Sequence, residues 1–493
     1  MTSLLEADPI FEPPTLVEKD EKKGFVKRMM KDIFPPKKPS PFNLDTTDAV
    51  AIVFFAAIGV ITRVFRIQFP PTTVFDEVHF GNFTNWYLRG QYFHDIHPPL
   101  GKLIHAVIAN FAGYKGDYSF ELLEGKKYPS MTYVALRLTP AFFGALCIPL
   151  SYLIVRAAYG NHFAASFAAI LTACDLMLVI EARHILIDSV LHFFSCLAVF
   201  SIFLDERLEN VVTFIFECVC LGLVASCKYT SGGIILLALY RQFRDMNLKD
   251  IRFNPPIRPI ARSILIIFTV SFIHYIMFSI HLSALPYYPE NKENIPKCIE
   301  DSLVDRMNPD WEKRNNAPSM LRRIITLVLH MHFSNMNVGH SHPYASPWWS
   351  WPLFMRKWLL FWTSEGKHLI CFGNLFIWYP VFIGVIWNLI RNYIFKQIDS
   401  QSYSMLFGYI FSFLPFVLIP RDTFIYHYSI PLLFGIWGLS LSIQNMDNPK
   451  IRGFLFSSLI LAAIIGFIFW SPFAYGLTTP DFEFLVWNDK WRR

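Results

Sequence analysis

Charge is scarce in this chain of 493 residues: Asp, Glu, Lys and Arg make up 17% of it, where a soluble domain carries about 25%. Apolar residues account for 53%. They fall in long blocks, not at a helical or strand period, which calls for a membrane as solvent. None of the eight cysteines pairs as CxxC, so neither a disulfide framework nor a zinc site is indicated. Cys147, Cys174, Cys196, Cys218, Cys220 and Cys371 lie inside apolar blocks and read as small apolar residues; Cys298 lies in a loop. Met1 to Asp20 contain no apolar core, which argues against a cleavable signal peptide. No internal repeat of fixed period is visible, which weighs against an inverted-repeat transporter. The net charge of +6 is not a nucleic-acid signature, because the basic residues fall between the apolar blocks.

A membrane-spanning helix needs about 20 apolar residues. Eleven stretches qualify: 48–66, 134–156, 162–181, 185–204, 210–227, 230–243, 261–281, 366–390, 402–419, 424–443 and 453–471. Segment 1–46 contains Lys22, Lys23, Lys27, Arg28, Lys31, Lys37 and Lys38. It reads as a disordered cytosolic tail that orients the first span. Loop 241–262 carries Arg241, Arg244, Lys249, Arg252, Arg258 and Arg262, and the same count places it in the cytosol. Loop 391–401, with Arg391 and Lys396, also falls inside, and the tail 472–493 falls on the far side. The expected organisation is a membrane catalytic core over 47–281, a C-terminal set of spans over 366–471, and two long far-side loops. These loops, 67–133 and 282–365, are rich in aromatics, Pro and His and lack the Gly/Ser composition of a linker. We expect them to fold onto the membrane surface as short interfacial helices.

The first far-side loop opens with Asp76-Glu77 in an aromatic setting. Such a pair is either a solvated helix start favoured by the dipole or a carboxylate tuned as a general base toward a hydroxyl. Arg63 and Arg66 end the first span on the far side. An arginine there either snorkels to headgroups or meets a lipid phosphate. Arg137 opens the second span, where a planar guanidinium suits phosphate recognition. Glu181, Arg183, His184 and Asp188 crowd the next far-side turn, where Glu181–Arg183 could be a structural ion pair. Lys228 lies in another turn, and Arg421, Asp422 and His427 lie in a later one. Charge thus converges on one membrane face from several turns, which points to an anionic ligand. His94, Asp95 and His97 precede Pro98-Pro99-Leu100-Gly101-Lys102; their spacing is not a zinc motif, and structural use is expected. His330, His332, His340 and His342 precede Trp348, Trp349 and Trp351, which form either an interfacial belt or a platform for a sugar or acceptor. Asn82-Phe83-Thr84 is a glycosylation sequon, expected to be poorly accessible beside Asp76.

These residues resemble the protein O-mannosyltransferase family. The likeness is carried by Asp76-Glu77, His97-Pro98-Pro99-Leu100-Gly101-Lys102 and Arg183-His184-Ile185-Leu186-Ile187-Asp188. It continues in His342-Pro343-Tyr344-Ala345-Ser346, Trp351-Pro352-Leu353, Gly373-Asn374, Arg421 with Phe424 and His427-Tyr428, and Ser471-Pro472 with Tyr475-Gly476. They run in family order from residue 48 to the C-terminus. The resemblance implies an all-α polytopic GT-C fold and transfer of mannose from dolichyl-phosphate mannose to Ser or Thr hydroxyls. It places the reaction in the lumen of the endoplasmic reticulum, with inversion of the sugar. The family's acidic pair falls on Asp76-Glu77, and its essential arginine on Arg137. Two departures stand out. Typical eukaryotic members insert a β-trefoil MIR domain between spans seven and eight, and 282–365 is too short to hold one. Leu375 replaces the Pro that commonly follows Gly-Asn.

The implied mechanism has Asp76 as base and Glu77 holding acceptor or scaffold. Arg137, Arg63, Lys228 and Arg421 are the candidates for the donor phosphate. His97, Arg183, Asp188, His342 and His427 are further site candidates. The scheme demands no metal and no cofactor beyond the lipid-linked donor. Expected partners are secretory acceptor proteins, membrane lipids and a second family chain in a homo- or heterodimer, with no nucleic acid. Two rival readings remain: a GT-C transferase with another polyprenyl-linked sugar or acceptor, and a non-catalytic membrane subunit or transporter.

Overall fold

The computed structural model describes residues 42–120, 126–244, 257–289, 295–305, 317–337, 339, 342–395, 399–479 and 481–492. Most of the basic tail, the middle of loop 241–262, and His340 lie outside them. Among the described residues sixteen α-helices run in chain order: α1 (Thr46–Val64), α2 (Glu77–Arg89), α3 (Leu100–Phe111), α4 (Thr132–Ala157), α5 (His162–Cys174), α6 (Leu176–Glu181), α7 (Asp188–Leu208), α8 (Val211–Ala225), α9 (Gly232–Phe243), α10 (Ile257–Ala284), α11 (Lys297–Glu300), α12 (Met320–Met336), α13 (Leu375–Tyr393), α14 (Ser400–Phe413), α15 (Ser429–Gln444) and α16 (Pro449–Tyr475). Among the described residues, seven segments can cross a membrane by length and composition: α1, α4, α7, α10, α13, α14 with its extension to Leu418, and α16. The remaining expected spans are shorter helices.

The bundle sorts by which side of each helix is apolar. Every residue of α15 from Ser429 to Ile443 is buried, and a helix apolar all round belongs in the interior. Helices α10 and α16 instead turn apolar side chains outward, among them Ile264, Phe268, Phe272, Leu461 and Ile468. In a polytopic membrane protein that outward face meets lipid. Helix α4 is central, packing against α1, α5 and α7. Gly59 lets α1 approach it, since a Cβ there would stand 2.5 Å from the Ala145 carbonyl oxygen. Helix α1 starts at a reciprocal capping box: Asp45 accepts from the Asp48 amide at 2.9 Å, and Asp48 from the Asp45 amide at 3.0 Å.

Two expected spans are corrected. Span 162–181 is two helices, α5 and α6, broken at Asp175. Its carboxylate caps α6 through the Leu178 amide and accepts from the Asn374 amide at 3.2 Å and from the Trp378 indole at 2.7 Å. The second correction concerns span 366–390, which begins as a strand. Leu359–Ser364 (β1) and Lys367–Cys371 (β2) form an antiparallel hairpin, and the helix starts only at Leu375. The fold is therefore helical with one small sheet among the described residues. The first far-side loop does hold two helices, α2 and α3, and the second holds α11, α12 and β1.

Candidate active site

Helix α2 begins at Glu77, and this side chain turns inward. Its carboxylate accepts from the Val74 amide at 2.9 Å, the Ile185 amide at 3.0 Å and the Tyr128 hydroxyl at 3.1 Å. Arg137, at the start of α4, adds Nε at 2.7 Å and Nη2 at 2.8 Å. The other N–H groups of Arg137 go to the carbonyls of Ile67 at 3.2 Å, Pro70 at 2.7 Å and Thr72 at 3.0 Å. All five donors of the guanidinium are thereby used. Both side chains are fully buried. Burial opposes the charge on Glu77, but Arg137 and His184 outweigh it and hold the carboxyl well below its usual value. This corrects the assignment of Arg137 to the donor phosphate, because Arg137 has no N–H left for a phosphate oxygen; Glu77 is engaged as a clasp between the first loop, α4 and the turn at 182–185.

Asp76 stands in a different situation. It occupies the N-cap position of α2, yet its side chain makes no capping bond. Among the described residues its carboxylate accepts no hydrogen bond at all. Burial pushes its pKa up to about 6, with Asp188 and Asp95 adding to the rise and His79 and Lys228 opposing it. The preceding residue, Phe75, has φ 47°, a left-handed conformation that a bulky side chain rarely adopts. Such strain clusters at sites where geometry matters. A carboxylate unengaged by the scaffold, with a pKa near the working range, is what a general base requires.

Lys228, one of the charges that act on Asp76, lines a cavity of about 480 Å³. Its lining combines the polar side chains of His97, Lys228, Arg421, Thr423 and His427 with the apolar ones of Ile235, Leu236, Phe411, Phe416 and Ile419. Lys228 Nζ donates to Asp188 at 2.9 Å and lies 5.1 Å from the centre of the Tyr426 ring. Among the described residues neither the buried Nε of Arg421 nor Nε2 of His427 has a hydrogen-bond partner. His97 is pushed down to about 3, by burial first and then by Lys228, so its ring is neutral here. The His97 loop is pinned by Lys102, which donates to the His97 carbonyl at 2.6 Å and pairs with Asp95. Asn335 of α12 also lines the cavity.

The other expected residues are scattered around this core. Arg63 donates to the carbonyls of Thr172 and Ala173 at 3.1 and 3.0 Å, satisfying the end of α5. This corrects its assignment to the donor phosphate. Arg183 does the same for the end of α1, through the carbonyls of Arg63, Phe65 and Arg66. The ion pair between Glu181 and Arg183 is not formed; Glu181 faces His192 at 3.8 Å. His342 is exposed outside the cavity, its backbone N–H bonded to Asp422 at 2.7 Å. The tryptophans split: Trp349 is exposed, while Trp351 is buried, bonded to the Ser346 hydroxyl at 2.9 Å and stacked on His427. Thr84 of the sequon is buried and bonded to the Phe80 carbonyl within α2. One group of side chains could hold a metal ion among the described residues: Asp45, Asp48 and His162, within 4.8 Å of one another. It lies at the opposite end of α1 from Asp76, and Arg156 and Tyr152 already occupy Asp48.

Asp95, Tyr426 and Phe361 were not singled out from the sequence as site residues. Asp95 and Lys102 are seven positions apart in one motif, which is a usable signal. Nothing local marks the other two.

The architecture is that of a GT-C glycosyltransferase. It matches the Saccharomyces cerevisiae protein O-mannosyltransferase Pmt1–Pmt2 complex bound to the sugar donor with TM-score 0.81 at 18% identity, over 91% of this chain and 93% of that one. Residues 53–292 match the family model of dolichyl-phosphate-mannose-protein mannosyltransferase, and residues 320–492 that of the C-terminal four TMM region of protein-O-mannosyltransferase. The chain belongs to the protein O-mannosyltransferase family. It is 36% identical over 199 residues to dolichyl-phosphate-mannose–protein mannosyltransferase 1 of Saccharomyces cerevisiae, 38% of this chain and 24% of that protein. It is 28% identical over 316 residues to mannosyltransferase 2 of Candida albicans, 59% of this chain and 40% of that protein. The matched region thus spans less than half the length of either relative.

Proposed function

We propose that this protein transfers mannose from dolichyl-phosphate mannose to Ser or Thr hydroxyls of secretory proteins, at the lumenal face of the endoplasmic reticulum membrane. One observation carries the reading: the free carboxylate of Asp76 feels the charge of Lys228, and Lys228 lines a cavity that combines cationic and apolar side chains. A polyprenyl phosphate combines the same two chemistries. Its phosphate fits Arg421 and Lys228, and its first isoprene units fit Ile235, Leu236, Phe411 and Phe416.

In this scheme the acceptor oxygen attacks the anomeric carbon while Asp76 takes the hydroxyl proton. The bond from that carbon to the phosphate oxygen breaks on the opposite face, so the configuration inverts. The electron pair leaves with dolichyl phosphate, and Arg421 and Lys228 stabilise the charge as it develops. Asp188 holds Lys228 in place before the donor arrives. The basic loops 241–262 and 391–401 support a cytosolic N-terminus and a lumenal site. Pairing with a second family chain is proposed from the heteromeric yeast relative.

The test is transfer of labelled mannose from dolichyl-phosphate mannose to a Ser/Thr-rich peptide, by membranes carrying wild type or Asp76→Ala. Transfer by wild type alone is expected. Transfer from a different polyprenyl-linked sugar, with none from the mannosyl donor, would replace the substrate assignment.

A further inference from the structure

The hairpin β1–β2 lies far in sequence from Asp76, yet it reaches the residue beside it. The hairpin register pairs Leu360 with Ile370 and Trp362 with Leu369. Phe361 is thus the extra residue of a bulge, and a bulge takes one residue out of the ladder and re-aims it. The Phe361 carbonyl accepts the Phe75 amide at 3.2 Å. The two rings stack with centroids 4.4 Å apart and planes 9° from parallel. Phe75 is the left-handed residue that leads directly into Asp76. The edge of Tyr426 meets Phe75 from another direction at 6.3 Å, and Tyr426 lies under the Lys228 ammonium at 5.1 Å. A single run of rings therefore joins the hairpin, the acid-bearing loop and the cation at the cavity.

We infer that Phe361 is a positioning residue for the transfer reaction: through its bulged carbonyl and its stacked ring, it holds Phe75 left-handed and so fixes Asp76 relative to Lys228. The inference rests on Asp76 as the base. Two features carry it beyond ordinary core packing. The contact falls on the one strained residue next to the acid, and it uses a carbonyl that an unbulged strand would have spent on its neighbour. Phe361 does not line the cavity, so its effect belongs to the chemical step and not to donor binding.

The full-length protein in detergent would be compared as wild type, Phe361→Ala, Phe361→Leu and Phe361→Tyr. Trp362→Ala serves as a hairpin control, since Trp362 packs on Phe69 instead. Phe361→Ala should lower kcat by about 10²-fold, the cost of a misplaced catalytic group, with donor KM within a factor of two. Phe361→Tyr keeps the flat stack and should retain most of the rate; Phe361→Leu keeps bulk only and should behave like Ala. Trp362→Ala should keep kcat. Amide exchange over residues 72–80 should quicken in Phe361→Ala and not in Phe361→Tyr. A wild-type kcat in Phe361→Ala, equal rates in the Leu and Tyr variants, or a loss confined to donor KM would each overturn the inference. Should the wild type itself transfer no mannose, the reaction assignment fails, and unchanged exchange over 72–80 would separately overturn the positioning role.

Discussion

Asp76→Asn keeps the shape of the side chain and removes its charge, and the structure assigns that change two opposite effects. The Asp76 carboxyl is pushed from 3.8 to about 6, chiefly by burial. At neutral pH the folded protein therefore carries an anion that the unfolded chain would carry at lower cost. A shift of about two units corresponds to ~3 kcal/mol, the upper bound on what the charge costs the fold. Between about pH 4 and 6 the folded chain still holds the proton that the unfolded chain has released, so this group lowers wild-type stability as pH rises through that window. Asparagine cannot ionise and escapes the penalty. Asp76→Asn should unfold at a temperature a few degrees higher at neutral pH, lose that advantage below about pH 4, and transfer no mannose at any pH. Wild-type transfer should fall as pH drops below about 6, because a protonated base cannot accept a proton. Thermal unfolding in detergent would be followed by tryptophan fluorescence across this range, with turnover measured on the same samples. Turnover in the Asn variant would refute the base assignment. A stability difference that is absent, or flat with pH, would refute the argument from burial.

Arg137→Ala leaves the Glu77 charge buried without its partner, and breaking such a pair costs about 3–5 kcal/mol; the expected result is a large loss of folded protein in size-exclusion chromatography. Arg137→Lys should fare little better, because an ammonium cannot reach Glu77 and three carbonyls together. Arg421→Ala should raise donor KM by at least about tenfold, matching the ~1.5–3 kcal/mol of a hydrogen bond to a charged group, with intact thermal stability; an unchanged KM would remove Arg421 from the phosphate. Asn82→Gln should leave electrophoretic mobility unchanged, since the sequon threonine is sealed inside α2; a faster-running variant would show that the site is glycosylated.

Much of the helical layout was legible because hydropathy reads out directly as burial in lipid. Helix occurs in every apolar block, and the ends of α1, α4 and α8 lie close to the expected ones. The failures have identifiable causes. Leu359–Trp362 and Leu369–Cys371 are short apolar runs on either side of Thr363–His368, and a short run of that kind is equally at home in a strand or at the head of a helix. Asp175 looks like a lone acid in an apolar run. Its partners Asn374 and Trp378 lie about two hundred residues downstream, so only the folded chain shows why the helix breaks there.

The candidate site divides in the same way. Asp76, Glu77, Arg137, Lys228 and Arg421 could all be singled out in advance as charges gathered at one end of the spans, because an unpaired charge within a bilayer is costly. Composition and hydropathy alone thus determined a membrane protein, the approximate course of its helices and the face where charge collects. Roles were not determined at that level, since a role depends on which polar atoms are already satisfied. Adjacent carboxylates differ by one position in the chain and by everything in their surroundings: Glu77 is closed by five hydrogen bonds, while Asp76, carried on a left-handed Phe75, is engaged by none. Only the tertiary structure decided between them, because hydrogen-bond saturation is set by distances across segments that no local pattern records.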